Sequence, residues 1–343
     1  MDPIRNYDTN RGDETRAEES SHVVSNGAGT RHDSVLLHEA VHGLMVKPGE
    51  IVVDGTFGAG GHFRELAIAL GKKGTLIGID ADQASFERAE EMVATLKEDG
   101  PTMHLVTNNF RAIESILDSL DIACVDKALF DLGWNGFQLG EGRGFSFRVD
   151  EPLHMTYGDP QTSTTAEDIV NSSTEEELAD LIYTYGEERF SRGIARAIVE
   201  ARKHKRITTT RELASIVEQG TPAWYHHRKI HPATKTFQAL RIAANDELGA
   251  LRAVLSGTMS RLTPGGRIAV ITFHSIEDRI VKSAFKDAVH AGTGSLVTRK
   301  PLTPSTEELA VNPRARSAKL RIFERCANAN ICANASIATT QYV

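Results

Sequence analysis

Short apolar runs rich in β-branched residues alternate with stretches of helical apolar spacing along the first 131 residues. The short runs, which predict buried strands, lie at residues 51–53, 75–79, 104–106 and 128–130. The helical spacing lies at about residues 34–44, 61–70, 82–97 and 112–120. Strands that alternate with helices in this way are typical of a doubly wound α/β fold with a parallel sheet, which we predict for this chain.

The alternation stops after the fourth strand, where several helical patterns follow one another. They lie at residues 174–185, 190–203 and 210–219. Thr174 and Glu177 have the spacing of a capping box at the start of the first of these helices. We therefore predict an inserted helical subdomain at residues 145–228.

The strand pattern resumes after the insertion and completes the predicted sheet. A helix at about residues 234–255 precedes a fifth strand at residues 267–273. Two last strands, at about residues 295–299 and 319–324, would close the sheet as an antiparallel hairpin.

These patterns divide the chain into four parts. The α/β domain comprises residues 31–144 and 229–326, on either side of the helical insertion. Residues 1–30 are polar and charged with few apolar side chains, which predicts a disordered tail. The Asn- and Ala-rich residues 327–343 are expected to be frayed.

A glycine-rich turn follows the first predicted strand, directly after Asp54. Its glycines include Gly58, Gly60 and Gly61, but Phe63 stands where a dinucleotide-binding G-x-G-x-x-G turn needs a third glycine. No Gly-Lys-Ser/Thr follows either, so the turn is not a phosphate-binding P-loop. An acid and a G-x-G-G turn at a strand end suit a ligand with adenosine but no pyrophosphate, namely S-adenosylmethionine. The alternative is a loop that only packs a helix on a strand.

The next two strand ends carry groups that suit the rest of an adenosine. Asp80 ends the second strand 26 residues after Asp54, where related folds place the carboxylate that accepts ribose hydroxyls. Asp82 begins the following helix and is interpreted as its N-cap. Asn109 and Phe110 follow the third strand, and could bind an adenine by its edge and its face. Phe110 could instead be an ordinary core residue.

A long aromatic loop follows the fourth strand after Asp131, and loops of this kind beside a binding turn are usually functional. The loop contains Trp134, Phe137 and Gln138.

The charge of the chain is unevenly distributed. The 343 residues carry a net charge of −7, but residues 192–241 contain eleven Lys or Arg against three Asp or Glu. Local clusters, not net charge, determine phosphate binding, so we interpret the basic stripe as an RNA-binding surface. A solvated helix face is the alternative. The stripe consists of Arg192, Arg196, Arg202, Lys203, Lys205 and Arg206.

No apolar run is long enough to span a membrane, and the polar N-terminus lacks the features of a signal peptide. Cys124, Cys326 and Cys332 make no disulfide framework, and Cys124 is expected to be a core thiol. These features fit a protein of the reducing cytoplasm.

Seven motifs together resemble the RsmH (MraW) family of small-subunit rRNA cytosine-N4 methyltransferases, over about residues 31–325. They are Asp-Gly-Thr-Phe-Gly-Ala-Gly-Gly-His (54–62), Asp-Leu-Gly (131–133) with Gln138-Leu139, Arg-Gly-Phe-Ser-Phe (143–147), Gly-Glu-Glu-Arg (186–189), His-Pro-Ala-Thr with Phe-Gln-Ala-Leu-Arg-Ile (231–242), Phe-His-Ser-Ile-Glu-Asp-Arg (273–279) and Asn-Pro-Arg-Ala-Arg-Ser-Ala-Lys-Leu-Arg (312–321).

The resemblance implies a class I S-adenosylmethionine-dependent methyltransferase with a Rossmann-like sheet and an inserted helical RNA-binding subdomain. It implies methylation of N4 of one decoding-centre cytidine in 16S rRNA of the small ribosomal subunit. Carried over by motif, the cofactor-binding residues would be Gly60, Gly61, His62, Asp80, Phe110, Asp131 and Gln138. No metal ligand is implied.

Two segments depart from the family pattern. The family's Val-Ser-Ser-Pro after Asp-Leu-Gly is replaced by Trp134-Asn135-Gly136-Phe137, and Leu-Asp-Met-Arg-Met by Leu153-His154-Met155-Thr156-Tyr157. Any role of the missing serines or of the missing acid cannot be transferred to this chain.

The chemistry suggests which residues act on the base. Because N4 must attack in line with the S–CH₃ bond, the cytosine must be unpaired or flipped, and Trp134, Phe137 or Phe145 could stack on it. Asp131 could accept a hydrogen bond from the N4 amino group, or serve only as a cofactor ligand. His274 could accept the released proton, or be a scaffold histidine. The rivals are a methyltransferase acting on another substrate and a non-catalytic RNA-binding factor.

Overall fold

The computed structural model describes residues 34–133 and 142–327, which form a seven-stranded sheet with helices on both faces and a cluster of further helices. The strand order is β3-β2-β1-β4-β5-β7-β6. The strands are β1 (Ile51–Asp54), β2 (Thr75–Asp80), β3 (Thr102–Thr107), β4 (Val125–Asp131), β5 (Leu262–Thr272), β6 (Gly294–Leu296) and β7 (Lys319–Arg325).

The first five strands are parallel, and β7 runs antiparallel to both β5 and β6. The predicted doubly wound sheet and its closing antiparallel pair are therefore confirmed. The central strands are buried on both faces, as the continuous apolar runs of β1 and β4 indicate. Because β1 lies between β2 and β4, the carboxyl ends of these three strands meet at one edge.

Thirteen α-helices lie within the described residues. They are α1 (Leu37–Leu44), α2 (Gly61–Leu70), α3 (Gln83–Arg88), α4 (Glu90–Asp99), α5 (Ile113–Ser119), α6 (Ala166–Ser172), α7 (Glu175–Gly186), α8 (Ser191–His204), α9 (Thr210–Gln219), α10 (Ala233–Asn245), α11 (Glu247–Arg261), α12 (Ser275–His290) and α13 (Thr306–Val311). Three short 3-10 helices lie at Phe110–Ala112, Ala223–His227 and Pro313–Ser317.

Two apolar layers cover the sheet. Side chains of α1, α2 and α4 pack on one face, and side chains of α5, α11 and α12 pack on the other. Helices α6 to α10 form a third apolar cluster, together with Phe145, Leu153 and Met155 from the chain that leads into α6. The predicted capping box of α7 is present, since Thr174 Oγ1 accepts the Glu177 N–H and the Glu177 side chain accepts the Thr174 N–H.

The predicted single helix at residues 234–255 is wrong. The chain breaks at Asp246, whose φ of 45° is left-handed, and α10 and α11 lie on either side of it. α10 packs against α7 within the helical cluster, whereas α11 packs on the sheet. The apolar spacing in the sequence continues through residue 246. It therefore did not indicate that the chain breaks there and that the two helices pack on different parts of the protein.

The described residues also test the expectations about the cysteines and about membrane-spanning helices. Cys326 is an exposed free thiol, but Cys124 is disulfide-bonded, so the prediction of a core thiol there is wrong. Cys124 precedes β4 and is only half-buried. Within the described ranges, no helix is both long enough and apolar enough to cross a membrane.

Candidate active site

A cavity of about 770 Å³ opens at the carboxyl ends of β1, β2 and β4. The sheet forms one wall, and the helical cluster forms the opposite wall. Residues near the two ends of the described chain, Ser34 and Val35 on one side and 311–317 on the other, complete the lining. A volume in this range suits a drug-sized or cofactor-sized ligand.

The glycine-rich turn lies on the sheet wall and depends on two left-handed glycines. Gly58 has a φ of 55°, and its N–H donates to Asp80 Oδ2 at 2.8 Å. Gly60 has a φ of 79°, and a Cβ there would lie 2.6 Å from Met92 Cε. Gly58 and Gly61 line the cavity, whereas Gly60 lies behind it. Gly60 therefore shapes the turn, and its cofactor binding stays a prediction.

Asp80 projects from the end of β2 into the cavity, as the sequence predicted. Its Oδ1 accepts the Asp82 N–H at 2.8 Å and its Oδ2 accepts the Gly58 N–H. Burial raises the pKa of Asp80, although these two hydrogen bonds lower it. Asp82 is confirmed as the N-cap of α3, since its Oδ1 accepts the Ala84 N–H.

The end of β3 brings Asn109 and Phe110 to the same cavity. Asn109 Oδ1 accepts the Arg111 N–H at 3.0 Å and so begins the 3-10 helix at Phe110–Ala112. The Phe110 ring is half-buried and meets Phe130 edge-on at 6.1 Å between centroids. Phe110 thus both joins the core and lines the cavity.

Asp131 lies at the end of β4, where its N–H donates to Thr56 Oγ1 at 2.7 Å. Its Oδ2 lies 3.8 Å from His62 Nδ1, and its Oδ1 has no hydrogen-bond partner among the described residues. Burial, followed by the negative charges of Asp54 and Glu277, raises the pKa of Asp131 well above its usual value. The site therefore holds, on a residue that lines the cavity, a carboxyl group with a raised proton affinity and one buried oxygen without a hydrogen-bond partner among the described residues.

His62 and Asp54 support this carboxyl from the β1 side. His62 is buried at the start of α2, and its Nε2 lies 3.2 Å from the Val35 carbonyl oxygen. Asp54 is fully buried and does not line the cavity. Its burial raises the pKa to about 7, although its hydrogen bond from the Thr56 N–H, at 3.2 Å, lowers it.

The opposite wall contains a buried ionic cluster that the sequence did not predict. Arg241 donates from Nη2 to Glu247 Oε2 at 3.0 Å, and its Nε lies 2.9 Å from Oε1. The Tyr157 hydroxyl donates to Glu247 Oε1 at 2.9 Å, and its ring stacks on Phe145 at 5.4 Å. Tyr157 lies in one of the two segments that depart from the family pattern. The only signal for Arg241 was its place in the motif at residues 237–242.

The pKa shifts in this cluster follow from burial and pairing. Burial raises the pKa of Glu247, although Arg241 lowers it. Burial and the neighbouring carboxylate raise the pKa of Tyr157 well above its usual value. Burial alone would raise the pKa of Glu277, but His274 and Arg241 bring it below its usual value. Arg241 therefore compensates two carboxylates at the cavity wall.

His274 is the N-cap of α12 and lines the cavity. Its Nδ1 accepts the Glu277 N–H at 3.4 Å, and its Nε2 lies 3.1 Å from Glu277 Oε1. Both ring nitrogens therefore face Glu277, which favours the scaffold interpretation over proton acceptance.

Glu247, His274 and Glu277 place one ligand atom each within 4.8 Å of one another. Because both oxygens of Glu247 are already paired with Arg241, the geometry is that of a salt-bridged cluster.

The predicted basic stripe lies on α8 and the following turn, away from the cavity lining. Several of its cations are paired with acids or carbonyl groups of the helical cluster. The partners are Glu175 for Arg196 (3.5 Å), the Val170 carbonyl for Arg202 (2.7 Å), Glu200 for Lys203 (2.6 Å), Glu212 for Lys205 (3.4 Å) and Glu167 for Arg206 (2.6 Å). RNA binding at the stripe would have to compete with these contacts, and it stays a prediction.

The loop after β4 is only partly described. Trp134, Phe137 and Gln138, predicted to contact the base or the cofactor, lie outside the described residues, as does Asn135-Gly136. Phe145, the third aromatic candidate, lines the cavity.

The sequence of the chain matches known proteins over most of its length. The model of the MraW methylase family matches residues 29–326. Ribosomal RNA small subunit methyltransferase H of Brevibacillus brevis is 45% identical over 310 residues, which cover 86% of this chain and 98% of the relative. The protein of the same name from Koribacter versatilis is 46% identical over 300 residues, which cover 86% of this chain and 94% of that relative. Among solved structures, an rRNA methylase from Streptococcus thermophilus aligns over 85% of this chain and 98% of the methylase chain, with 11% sequence identity and a TM-score of 0.40. From its sequence, the chain belongs to the MraW methylase family.

Proposed function

We propose that this protein transfers the methyl group of S-adenosylmethionine to N4 of a decoding-centre cytidine in 16S rRNA of the small ribosomal subunit. The observation that carries the proposal is the position of Asp131. Asp131 lines one cavity that has an adenosine-type wall on one side and an aromatic, charged wall on the other. The relatives named above are rRNA methyltransferases, which supports the same activity.

The sheet wall fits S-adenosylmethionine. The carboxylate of Asp80 can accept the ribose hydroxyls, since each oxygen accepts one backbone N–H and has a further lone pair. Phe110 and Asn109 can meet the adenine by face and by edge, and Gly58 allows close approach to the backbone. When bound, the cofactor supplies an electrophilic methyl group on a sulfonium.

The opposite wall fits an unpaired cytosine. The stacked pair Phe145 and Tyr157 offers an apolar face, and the salt-bridged Glu247 and Arg241 give the wall polar atoms in fixed positions. A base held between the two walls would bring its N4 towards Asp131. This placement would orient N4 for attack on the methyl group and would exclude water.

Asp131 is the group best placed to receive the proton. As the N4–C bond forms and the S–C bond breaks, N4 loses one proton, and the carboxylate accepts it. Its raised pKa makes it a better base than an exposed carboxylate. His62 lies against the same carboxylate and keeps its orientation. His274 acts here as a scaffold, because its ring faces Glu277.

We further propose that residues 145–228 form the RNA-binding insertion of a protein that works in the cytoplasm, where ribosomal subunits assemble. The test is mass-spectrometric mapping of methylcytidine after incubation with S-adenosylmethionine and small ribosomal subunits, naked rRNA or DNA. We expect N4-methylcytidine at one position of the rRNA. Cofactor binding by calorimetry without methyl transfer to any of the three would favour the non-catalytic RNA-binding alternative, and methylated DNA would favour another substrate.

A further inference from the structure

A group of aromatic and basic side chains lies on the helical cluster, with Trp224 and the cations exposed and Tyr225 buried. We define this aromatic–basic patch as Arg189, Phe190, Trp224, Tyr225, Arg228 and Lys229. Trp224 is 55% exposed. The indole meets Phe190 at 5.9 Å and Tyr225 at 5.7 Å between ring centroids, both edge-on. A large indole kept at the surface by two other rings is unusual in a polar helix connection and indicates a contact surface.

The patch carries positive charge without paired acids. Arg189 lies 4.7 Å from the Phe190 ring and 4.9 Å from the Trp224 ring, and Arg228 lies 5.1 Å from the Tyr225 ring. Within the described part of the chain, Arg189, Arg228 and Lys229 have no carboxylate within 4.0 Å. The cations of the basic stripe differ in this respect, because acids of the same cluster are paired with several of them.

The acids near the patch contact other groups, and Glu218 Oε1 lies 3.0 Å from His231 Nε2. Glu188 is fully buried, where it accepts the Tyr225 hydroxyl at 2.6 Å and the Phe190 N–H at 2.9 Å. Glu187 accepts from Arg279 at 2.7 Å and from the Ser275 hydroxyl at 2.6 Å. Glu188 thus fixes two rings of the patch from below, and the cations remain as its exposed charges.

The patch is continuous with the cavity. His231 follows the patch in the chain, and its ring lies 4.7 Å from that of Phe147, which lines the cavity. Thr234, three residues further on, also lines the cavity. A nucleotide strand whose base occupies the cavity could therefore continue over His231 to Trp224.

We propose that the aromatic–basic patch binds single-stranded RNA next to the target base, with a base stacked on Trp224 and phosphates held by Arg228 and Lys229. This inference rests on the proposed function and names a second contact of the same substrate. Aromatic stacking combined with cations that track the backbone is the physical basis of single-strand binding. A second copy of the chain is a poorer partner, since a two-fold contact would set the same cations against each other.

The test measures the affinity of the full chain for a single-stranded 20-nucleotide RNA at several salt concentrations. Trp224→Ala should weaken binding by about fivefold to 150-fold, the range found for the loss of one stacked base. Arg228→Glu with Lys229→Glu should weaken binding and make the slope of log K against log salt shallower by about 1.4, as expected for two lost phosphate contacts. Trp224→Phe, which keeps a ring, should recover most of the affinity.

Lys282→Glu with Lys286→Glu is the charge-matched control, since both lysines are exposed on α12 and belong to neither the patch nor the basic stripe. It should change RNA affinity less than the variant at Arg228 and Lys229. Equal or larger weakening by the control, or wild-type affinity of Trp224→Ala, would overturn the proposal. So would a dimer that Trp224→Ala converts to monomer with unchanged RNA affinity.

Fluorescence gives a second readout, because Trp134 and Trp224 are the only tryptophans. In a Trp134→Phe background, the RNA should quench the emission of Trp224, and the absence of quenching at saturating RNA would contradict stacking. These measurements need no methyl transfer. A protein that binds RNA through the patch but methylates nothing would refute the proposed function and keep this inference.

Discussion

His62 Nδ1 lies 3.8 Å from Asp131 Oδ2, and this contact joins the glycine-rich turn after β1 to the carboxyl end of β4. The other ring nitrogen, Nε2, lies 3.2 Å from the carbonyl oxygen of Val35, just before α1. Three segments distant in sequence thus fix the orientation of one carboxyl group. The second oxygen of that group is buried and has no hydrogen-bond partner among the described residues.

Asp131→Asn should leave the fold intact and lower the rate of methyl transfer by about a hundredfold or more. The amide has nearly the same shape as the carboxyl group but cannot accept the proton from N4, and proton acceptance typically contributes factors of this size. The measurement is single-turnover transfer of labelled methyl to rRNA, with cofactor affinity measured separately by calorimetry.

Asp126→Asn is the matched control for Asp131, on the same strand but at its amino end. The Asp126 side chain accepts the Ile51 N–H at 2.8 Å and the Thr263 hydroxyl at 2.8 Å. The control should lose stability and keep its transfer rate. Wild-type turnover by Asp131→Asn would remove Asp131 from the mechanism.

Asp80→Asn should weaken S-adenosylmethionine binding by about tenfold to a hundredfold. A hydrogen bond to a charged group contributes about 1.5–3 kcal/mol, and the amide nitrogen would also face a backbone N–H that now donates to the carboxylate. Calorimetry checks the effect. Asp82→Asn is the control, because Asn is an equally good N-cap, and it should bind the cofactor as tightly as the wild type. Equal losses in both variants would point to the α3 terminus instead.

Asp54→Asn should change how the stability of the protein depends on pH. The folded state raises the pKa of Asp54 from 3.8 to about 7, so the folded protein binds this proton more tightly than the unfolded chain. Linkage then makes the free energy of unfolding fall as pH rises from about 4 to about 7, where the buried group must ionise.

The amide has no such transition, so Asp54→Asn should gain stability relative to the wild type as pH rises. A shift of this size corresponds to roughly 2–4 kcal/mol. Urea unfolding of both proteins at pH 5 and pH 8 measures the difference. A stability difference that stays constant between the two pH values would show that Asp54 does not titrate in this interval.

Glu247→Ala should destabilise the protein by about 3–5 kcal/mol, because it leaves the Arg241 guanidinium buried without its partner. Arg241 is 9% exposed. The double variant Arg241→Met with Glu247→Leu should be more stable than Glu247→Ala, since it removes both charges. Urea unfolding of Arg241→Met, Glu247→Leu and the double variant gives the coupling energy between the two residues. Additive losses would mean that the two side chains are not coupled.

The sequence predicted the parts of the site that follow from local patterns. Asp80, Asn109 and Asp131 stand at strand ends, and parallel strands bring such ends to one edge. It did not predict that Gly60 lies outside the cavity lining, because that depends on Met92 from α4. The wall of Tyr157, Arg241 and Glu247 was also missed, since its pairing depends on how the helices meet.

The role of His274 illustrates the same limit. Its place after β5 predicted a group near the cavity, and it does line the cavity. The direction of its ring depends on the capping box with Glu277, which the sequence Phe-His-Ser-Ile-Glu does not distinguish from a catalytic arrangement. Ring orientation is a tertiary property, and here it favours the scaffold interpretation.

The cavity is lined by residues near both ends of the described chain, Ser34 and Val35 at one end and 311–317 at the other. These segments also contact each other, since the Leu36 N–H donates to Glu308 Oε1 at 2.8 Å. During synthesis, the glycine-rich turn leaves the ribosome some 250 residues before this part of the lining. A nascent chain therefore cannot complete the pocket while its last helices remain in the exit tunnel. The ribosome that makes this protein must therefore translate beyond residue 317 before a methyl donor can be held in the completed pocket.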